Sequence, residues 1–90
     1  LIEHMVRSAT RLGLKPETAQ QLVQQTAKGA AAMVEQSDVG PEILRQRVTS
    51  PGGTTEAALS VFQDGDFADL VDRALIAARD RATALLKDAG

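Results

Sequence analysis

The chain has 90 residues, enough for one domain, with 43% apolar residues, two aromatics and no cysteine. That content excludes a disordered chain, a disulfide scaffold and a thiolate metal site. A net charge of −2 argues against a nucleic-acid binder and an electrostatic membrane anchor, and no apolar run is long enough to span a bilayer.

The first segment places Ile2, Met5, Val6, Ala9 and Leu12 on one helical stripe, with Glu3 and Arg7 as an i, i+4 pair outside it. Gly13 is expected to stop this helix as its C′ residue. The pattern is already helical at Leu1 with no capping residue before it, which predicts a fragment of a longer protein. Leu14 and Lys15 connect to a second helix opened by Pro16, with Glu17 in its first turn. Its stripe is Ala19, Leu22, Val23, Thr26, Ala27, Ala30, Met33 and Val34, and it runs out near Gln36. Met5 and Met33 have the spacing of core residues. Gly29, inside this helix, predicts close approach of another helix, since a mid-helix glycine costs on the order of 1 kcal/mol against alanine.

Ser37, Asp38 and Gly40 read as a loop, and Pro41 opens a third helix to about Val48 with Ile43, Leu44 and Val48 inward. A fourth helix, from about Thr54 to Gln63, is apolar on nearly every side and is predicted to be buried all round. Asp64-Gly65 ends it. Asp66 is the expected N-cap of a fifth helix carrying Phe67, Leu70, Val71, Ala74, Leu75, Ala78, Ala82 and Leu85, with Asp69 and Arg73 paired at i, i+4. That helix is expected to fray over residues 87–90. No strand pattern and no repeat is evident. The prediction is an all-α domain of five helices. Its Ala-rich core, with few large anchors, would gain from an oligomeric partner.

The run Val48-Thr49-Ser50-Pro51-Gly52-Gly53-Thr54-Thr55-Glu56-Ala57-Ala58-Leu59 stands apart. Pro51 presets φ for the second position of a turn, and Gly52 can take the positive φ of a type II turn. Gly53 removes a side chain where a ligand would approach the backbone. The helix that follows presents free N–H groups and the positive end of its dipole, which favour a carboxylate or phosphate. N–H groups of Gly53, Thr54 and Thr55, with the hydroxyls of Thr49, Ser50, Thr54 and Thr55, form a candidate anion cradle. A plain interhelical connector is the alternative. Arg45 and Arg47 flank the turn as steering charges or as solvated side chains.

Other chemistry is thin. His4 has no carboxylate or second histidine at metal-ligand spacing and reads as an ordinary helix residue. No dinucleotide fingerprint, Walker loop, nucleophile elbow or signal peptide is visible. The lack of cysteine fits a cytoplasmic location.

The run from Val48 to Leu59 resembles the signature of the pyrroline-5-carboxylate reductase family. The resemblance covers nearly the whole chain. Leu1 to Leu14 is similar to that family's helix ending in Gly-Leu-Pro, here with Lys15 before Pro16. Gln25-Thr26-Ala27-Lys28-Gly29-Ala30 matches its Gln-Thr-x-x-Gly-Ala pattern. Asp64-Gly65-Asp66-Phe67 resembles its Gly-Gly-Phe turn, with Asp66 in place of the usual second glycine.

The resemblance implies an all-helical C-terminal dimerisation domain over residues 1–90, truncated at its N-terminus and lacking the dinucleotide-binding domain. It implies an interlocked homodimer that can assemble further into decamers, without nucleic acid or membrane as partner. The full enzyme would pass a hydride from NADPH or NADH to the C=N carbon of Δ1-pyrroline-5-carboxylate, giving L-proline in the cytoplasm. By the same resemblance Ser50, Gly53 and Thr54 hold the substrate carboxylate, and Thr55, the catalytic candidate, places its hydroxyl on the ring nitrogen. No cofactor-binding or metal-binding residue is expected in this chain, and the chain alone is expected to be inactive. Two alternatives stand beside this: the helical module of a related two-domain dehydrogenase, and an association domain with no ligand.

Overall fold

A computed structural model describes residues 1–89. They form five helices in chain order: α1 (Ile2–Arg11), α2 (Pro16–Gln36), α3 (Pro41–Arg47), α4 (Thr54–Asp64) and α5 (Phe67–Ala89). No strand occurs among the described residues. The all-α class, the helix order and most boundaries match the sequence expectation. The chain divides after Gln46 into two compact units.

In the first unit α1 and α2 pack on each other. α1 stops as expected: Leu12 caps it with helical φ, and Gly13 follows at φ +115°. Lys15 in extended backbone then turns the chain into α2, with Pro16 at the first helical position. Ala19 and Val23 of α2 are the two buried residues of the core, at 0% and 7% exposure. Val6 and Ala9 of α1 are half-buried. The remainder of the α2 stripe is less covered than its periodicity implies. Leu22, Met33 and Val34 are exposed, as is Met5 of α1, so the methionines are not core residues within this chain. Length explains most of it: α2 extends about 32 Å and α1 only about 15 Å, so the shorter helix shields half of the longer one.

Three smaller expectations change in this unit. Beyond its own helix backbone nothing lies within 4 Å of a Cβ built on Gly29, so no other described helix makes the predicted close approach. The Glu3 carboxylate lies 3.8 Å from His4 Nε2, and no Glu3–Arg7 pair occurs among the described residues. The loop before α3 is closed by the Val39 N–H donating to Ser37 Oγ (3.2 Å). Of the inward residues expected around α3, Leu44 is half-buried while Ile43 and Val48 are exposed.

In the second unit α4 and α5 meet at a two-residue corner. Gly65 caps α4 with its N–H on the Val61 carbonyl (3.1 Å), and Asp66 follows at φ +55° with its N–H on the Gln63 carbonyl (3.1 Å). This is the left-handed C′ stop of a helix, moved one residue beyond the glycine. The apolar contact that accompanies such a stop is present: the rings of Phe62 and Phe67 pack at 4.9 Å, tilted by 49°. The Asp66 carbonyl also accepts the first helical hydrogen bond of α5, from the Leu70 N–H (3.0 Å). Asp66 therefore holds the N-cap position as expected, but with left-handed backbone instead of the usual extended one.

Beyond that corner neither helix buries a residue. The prediction that α4 is buried all round is overturned: Val61 is 71% exposed and Phe62 is also open. The physical reason is plain. An apolar surface on every side needs neighbours on every side, and α5 supplies one. α5 itself is longer than expected and continues through Ala89, so residues 87–89 are helical; Gly90 lies outside the described residues. The Asp69–Arg73 pair forms as predicted, with Nε to Oδ2 at 2.9 Å on the solvent side.

The corner yields a stability test. Aspartate tolerates left-handed backbone better than alanine, and its charge favours the start of α5. Asp66→Ala is expected to lower unfolding free energy by about 1–2 kcal/mol. Asp66→Gly is expected to be within about 0.5 kcal/mol of the parent, because relief of the positive φ offsets the lost charge. Denaturant unfolding of both variants checks the pair.

Candidate functional site

The connector between α3 and α4 is a tight turn that closes onto a helix end. The Gly53 N–H donates to the Ser50 carbonyl (2.9 Å), closing a four-residue turn over Ser50-Pro51-Gly52-Gly53. Gly52 sits at φ +73°, the value a type II turn demands at its third residue. Gly53 then takes extended backbone (φ −87°, ψ 179°) and caps α4, its carbonyl accepting from the Ala57 N–H (3.2 Å). The two glycines thus have separate reasons. Gly52 supplies a left-handed φ. A Cβ on Gly53 would lie 3.1 Å from the Ser50 carbonyl oxygen and 3.4 Å from Ser50 Cβ, so closure of the turn itself excludes a side chain.

One part of the predicted cradle changes as a result. The Gly53 N–H is engaged within the turn and is not directed to a ligand. The N–H groups of Thr54, Thr55 and Glu56, the first three of α4, have no hydrogen-bond partner among the described residues, as helix starts require in the absence of a side-chain cap. Ser50 and Thr54 are exposed, Gly53 and Thr55 half-buried. Thr55 therefore combines partial shielding with a hydroxyl that has no partner among the described residues, whereas Thr49 of the same run is already engaged. The turn brings Ser50 to the N-terminal side of Thr54 and Thr55 by joining both ends of the loop through one hydrogen bond.

The sequence reading missed one participant. Glu56 reaches back from α4 so that Oε1 accepts the Gly52 N–H at 3.1 Å. A glutamate at the third helical position is the signal for such a back-reaching bond. Elsewhere the candidates are quiet. His4 is exposed, and no cluster of three potential metal ligands occurs among the described residues. No described helix is long and apolar enough to cross a membrane.

What the arrangement can do is hold a small anion. Helix N–H groups and the dipole attract negative charge, and hydroxyls at Ser50, Thr54 and Thr55 can donate to an anion or exchange a hydrogen bond with a second polar atom.

Comparison with known proteins gives this geometry a setting. Residues 1–85 match the family model described as pyrroline-5-carboxylate reductase dimerisation. The whole chain is 49% identical over 90 residues to the pyrroline-5-carboxylate reductase of Pseudomonas aeruginosa, covering 33% of it. In structure, 93% of the chain overlays on 31% of the Coxiella burnetii pyrroline-5-carboxylate reductase with a TM-score of 0.88 and 45% identity. For the Plasmodium falciparum pyrroline carboxylate reductase, solved with NADP bound, 92% of the chain overlays on 32% of that protein with a TM-score of 0.89 and 34% identity. The chain spans about a third of the length of these relatives.

Proposed function

Because the chain belongs to the pyrroline-5-carboxylate reductase dimerisation family, we propose that it is the C-terminal helical domain of an enzyme that reduces Δ1-pyrroline-5-carboxylate to L-proline. The observation that carries this is the closed Ser50–Gly53 turn delivering the open first turn of α4, with Thr54 and Thr55 at its start. The substrate fits that chemistry. Its carboxylate suits the Thr54 and Thr55 N–H groups and the Ser50 hydroxyl, and its ring nitrogen lies within a few ångströms of that carboxylate. Gly53 contributes by closing the turn rather than by its N–H. A two-point grip on carboxylate and nitrogen fixes the ring orientation, and fixed orientation is a large part of the rate advantage of a bound reaction. Thr55 is the residue we assign to the nitrogen, since its hydroxyl can accept from the iminium N–H and then donate to the lone pair of the amine that forms.

A nicotinamide cofactor, NADPH or NADH, supplies the hydride when bound. The described residues contain no strand, hence no strand–loop–helix cradle for a dinucleotide, and we assign its site to residues outside this chain. The exposed apolar faces of α2, α4 and α5 support a homodimer built through these helices. The same reading extends to further assembly into decamers and to a cytoplasmic location. Assay of the complete protein for pyrroline-5-carboxylate-dependent oxidation of NADPH and NADH tests the proposal. Turnover of the pyrroline is the expected result. Absence of turnover with either cofactor would leave a related dehydrogenase module as the reading.

A further inference from the structure

We propose that Glu56 is a positioning residue of this site, acting through the peptide between Pro51 and Gly52; the proposal rests on the reading of Ser50, Thr54 and Thr55 as the substrate-carboxylate site. A turn closed by Pro at its second residue can adopt type I or type II geometry, and the two differ by a flip of the central peptide. With Gly52 at φ +73° the flip here is the type II one. The turn's own closing bond, Gly53 N–H to Ser50 carbonyl, does not involve that central peptide. Among the described residues one contact reaches it: the Gly52 N–H donates to Glu56 Oε1 at 3.1 Å. Glu56 is thus a clamp from the first turn of α4 onto the one peptide whose orientation is otherwise free to reverse.

Orientation matters for an anion. In the clamped state the Gly52 N–H faces the first turn of α4. A flip would replace it with the Pro51 carbonyl oxygen, placing a partial negative charge beside the helix start and repelling a carboxylate. The clamp therefore keeps the Pro51 carbonyl turned away from the helix start. Glu56 does not touch the substrate in this scheme; one of its carboxylate oxygens accepts the Gly52 N–H. The expected kinetic signature is a binding effect with the reacting groups left in place.

The test is steady-state kinetics of the complete reductase with pyrroline-5-carboxylate as the varied substrate. Glu56→Ala is expected to raise KM about five-fold, the order of one solvent-exposed charged hydrogen bond, with kcat within about two-fold. Glu56→Gln keeps an acceptor oxygen for the Gly52 N–H and is expected to return KM to near the parental value. Glu56 is exposed and alanine is the better helix former, so neither variant is expected to unfold. An unchanged KM in Glu56→Ala overturns the proposal. A lowered KM also overturns it, since the glutamate would then be competing with the substrate. Glutamine behaving no better than alanine removes the hydrogen bond as the cause. Thr55→Ala, measured alongside, separates the two levels: if it lowers kcat/KM while Glu56→Ala leaves KM unchanged, the site stands and the clamp falls; if it has no effect, both fall together.

Discussion

Replacing Thr55 by alanine in the complete reductase is expected to lower kcat/KM for pyrroline-5-carboxylate by about 10²-fold, the order seen when one preorganised donor to a charge-changing atom is removed. The backbone N–H at this position survives the substitution, so carboxylate binding is largely kept and most of the loss falls on kcat. Three observations make the effect specific to the hydroxyl. It has no partner among the described residues to be left unpaired. Its residue is half-buried at the second position of α4, where alanine fits without strain. Alanine also has the higher helix propensity, so the variant is expected to melt at or near the parental temperature. Thr55→Ser retains the hydroxyl and is expected to recover at least a tenth of the parental kcat/KM, as a rough guide to the value of the hydroxyl alone. Kinetics and thermal unfolding measured on the same preparations check this. Parental kcat/KM in Thr55→Ala would take Thr55 out of the site.

The second large effect concerns assembly. The 90-residue chain is expected to be a dimer by light scattering, and Leu75→Asp is expected to dissociate it. Leu75 is 66% exposed on α5, one turn on from Val71 of the same stripe. Burying a leucine against a partner stabilises by about 1.5–3 kcal/mol. A carboxylate in its place forfeits that and adds a desolvation cost of about 1–3 kcal/mol even when partly relieved. A two-fold interface carries each change twice. The combined loss is about 6 kcal/mol or more, which raises the dissociation constant by about four orders of magnitude. A mass that stays at two chains in Leu75→Asp, at micromolar concentration, would show that the α5 stripe lies outside the dimer contact.

Much of the fold is legible locally. Gly13 after a helical stripe, Pro16 before the next, and Gly52 after Pro51 each state a backbone conformation that glycine or proline alone makes easy, and each is found there. Burial is legible only as a demand. The α4 residues Val61 and Phe62 show that the helix wants cover on several sides, but periodicity does not say whether the cover comes from the same chain. Gly29 carries the same ambiguity: its size invites a neighbour that the described residues do not supply. The corner at Asp66 is legible only in part, for a different reason. Aspartate is common both as an N-cap and as an occasional left-handed residue, and here it is both, which no single rule of sequence anticipates. In the site, the hydroxyls and the turn could be read from residue types. The engagement of the Gly53 amide could not, because it depends on which hydrogen bond closes the loop.

The corner between α4 and α5 also sets a rotational phase. Only Gly65 and Asp66 separate the two helices, and both are held by bonds to the final turn of α4. Each helical residue advances the azimuth by about 100°. One residue gained or lost here would therefore turn the whole of α5 by more than a quarter revolution and present a different set of its side chains to α4. The arithmetic of residue number at this junction is as binding on the domain as the identity of any side chain in it.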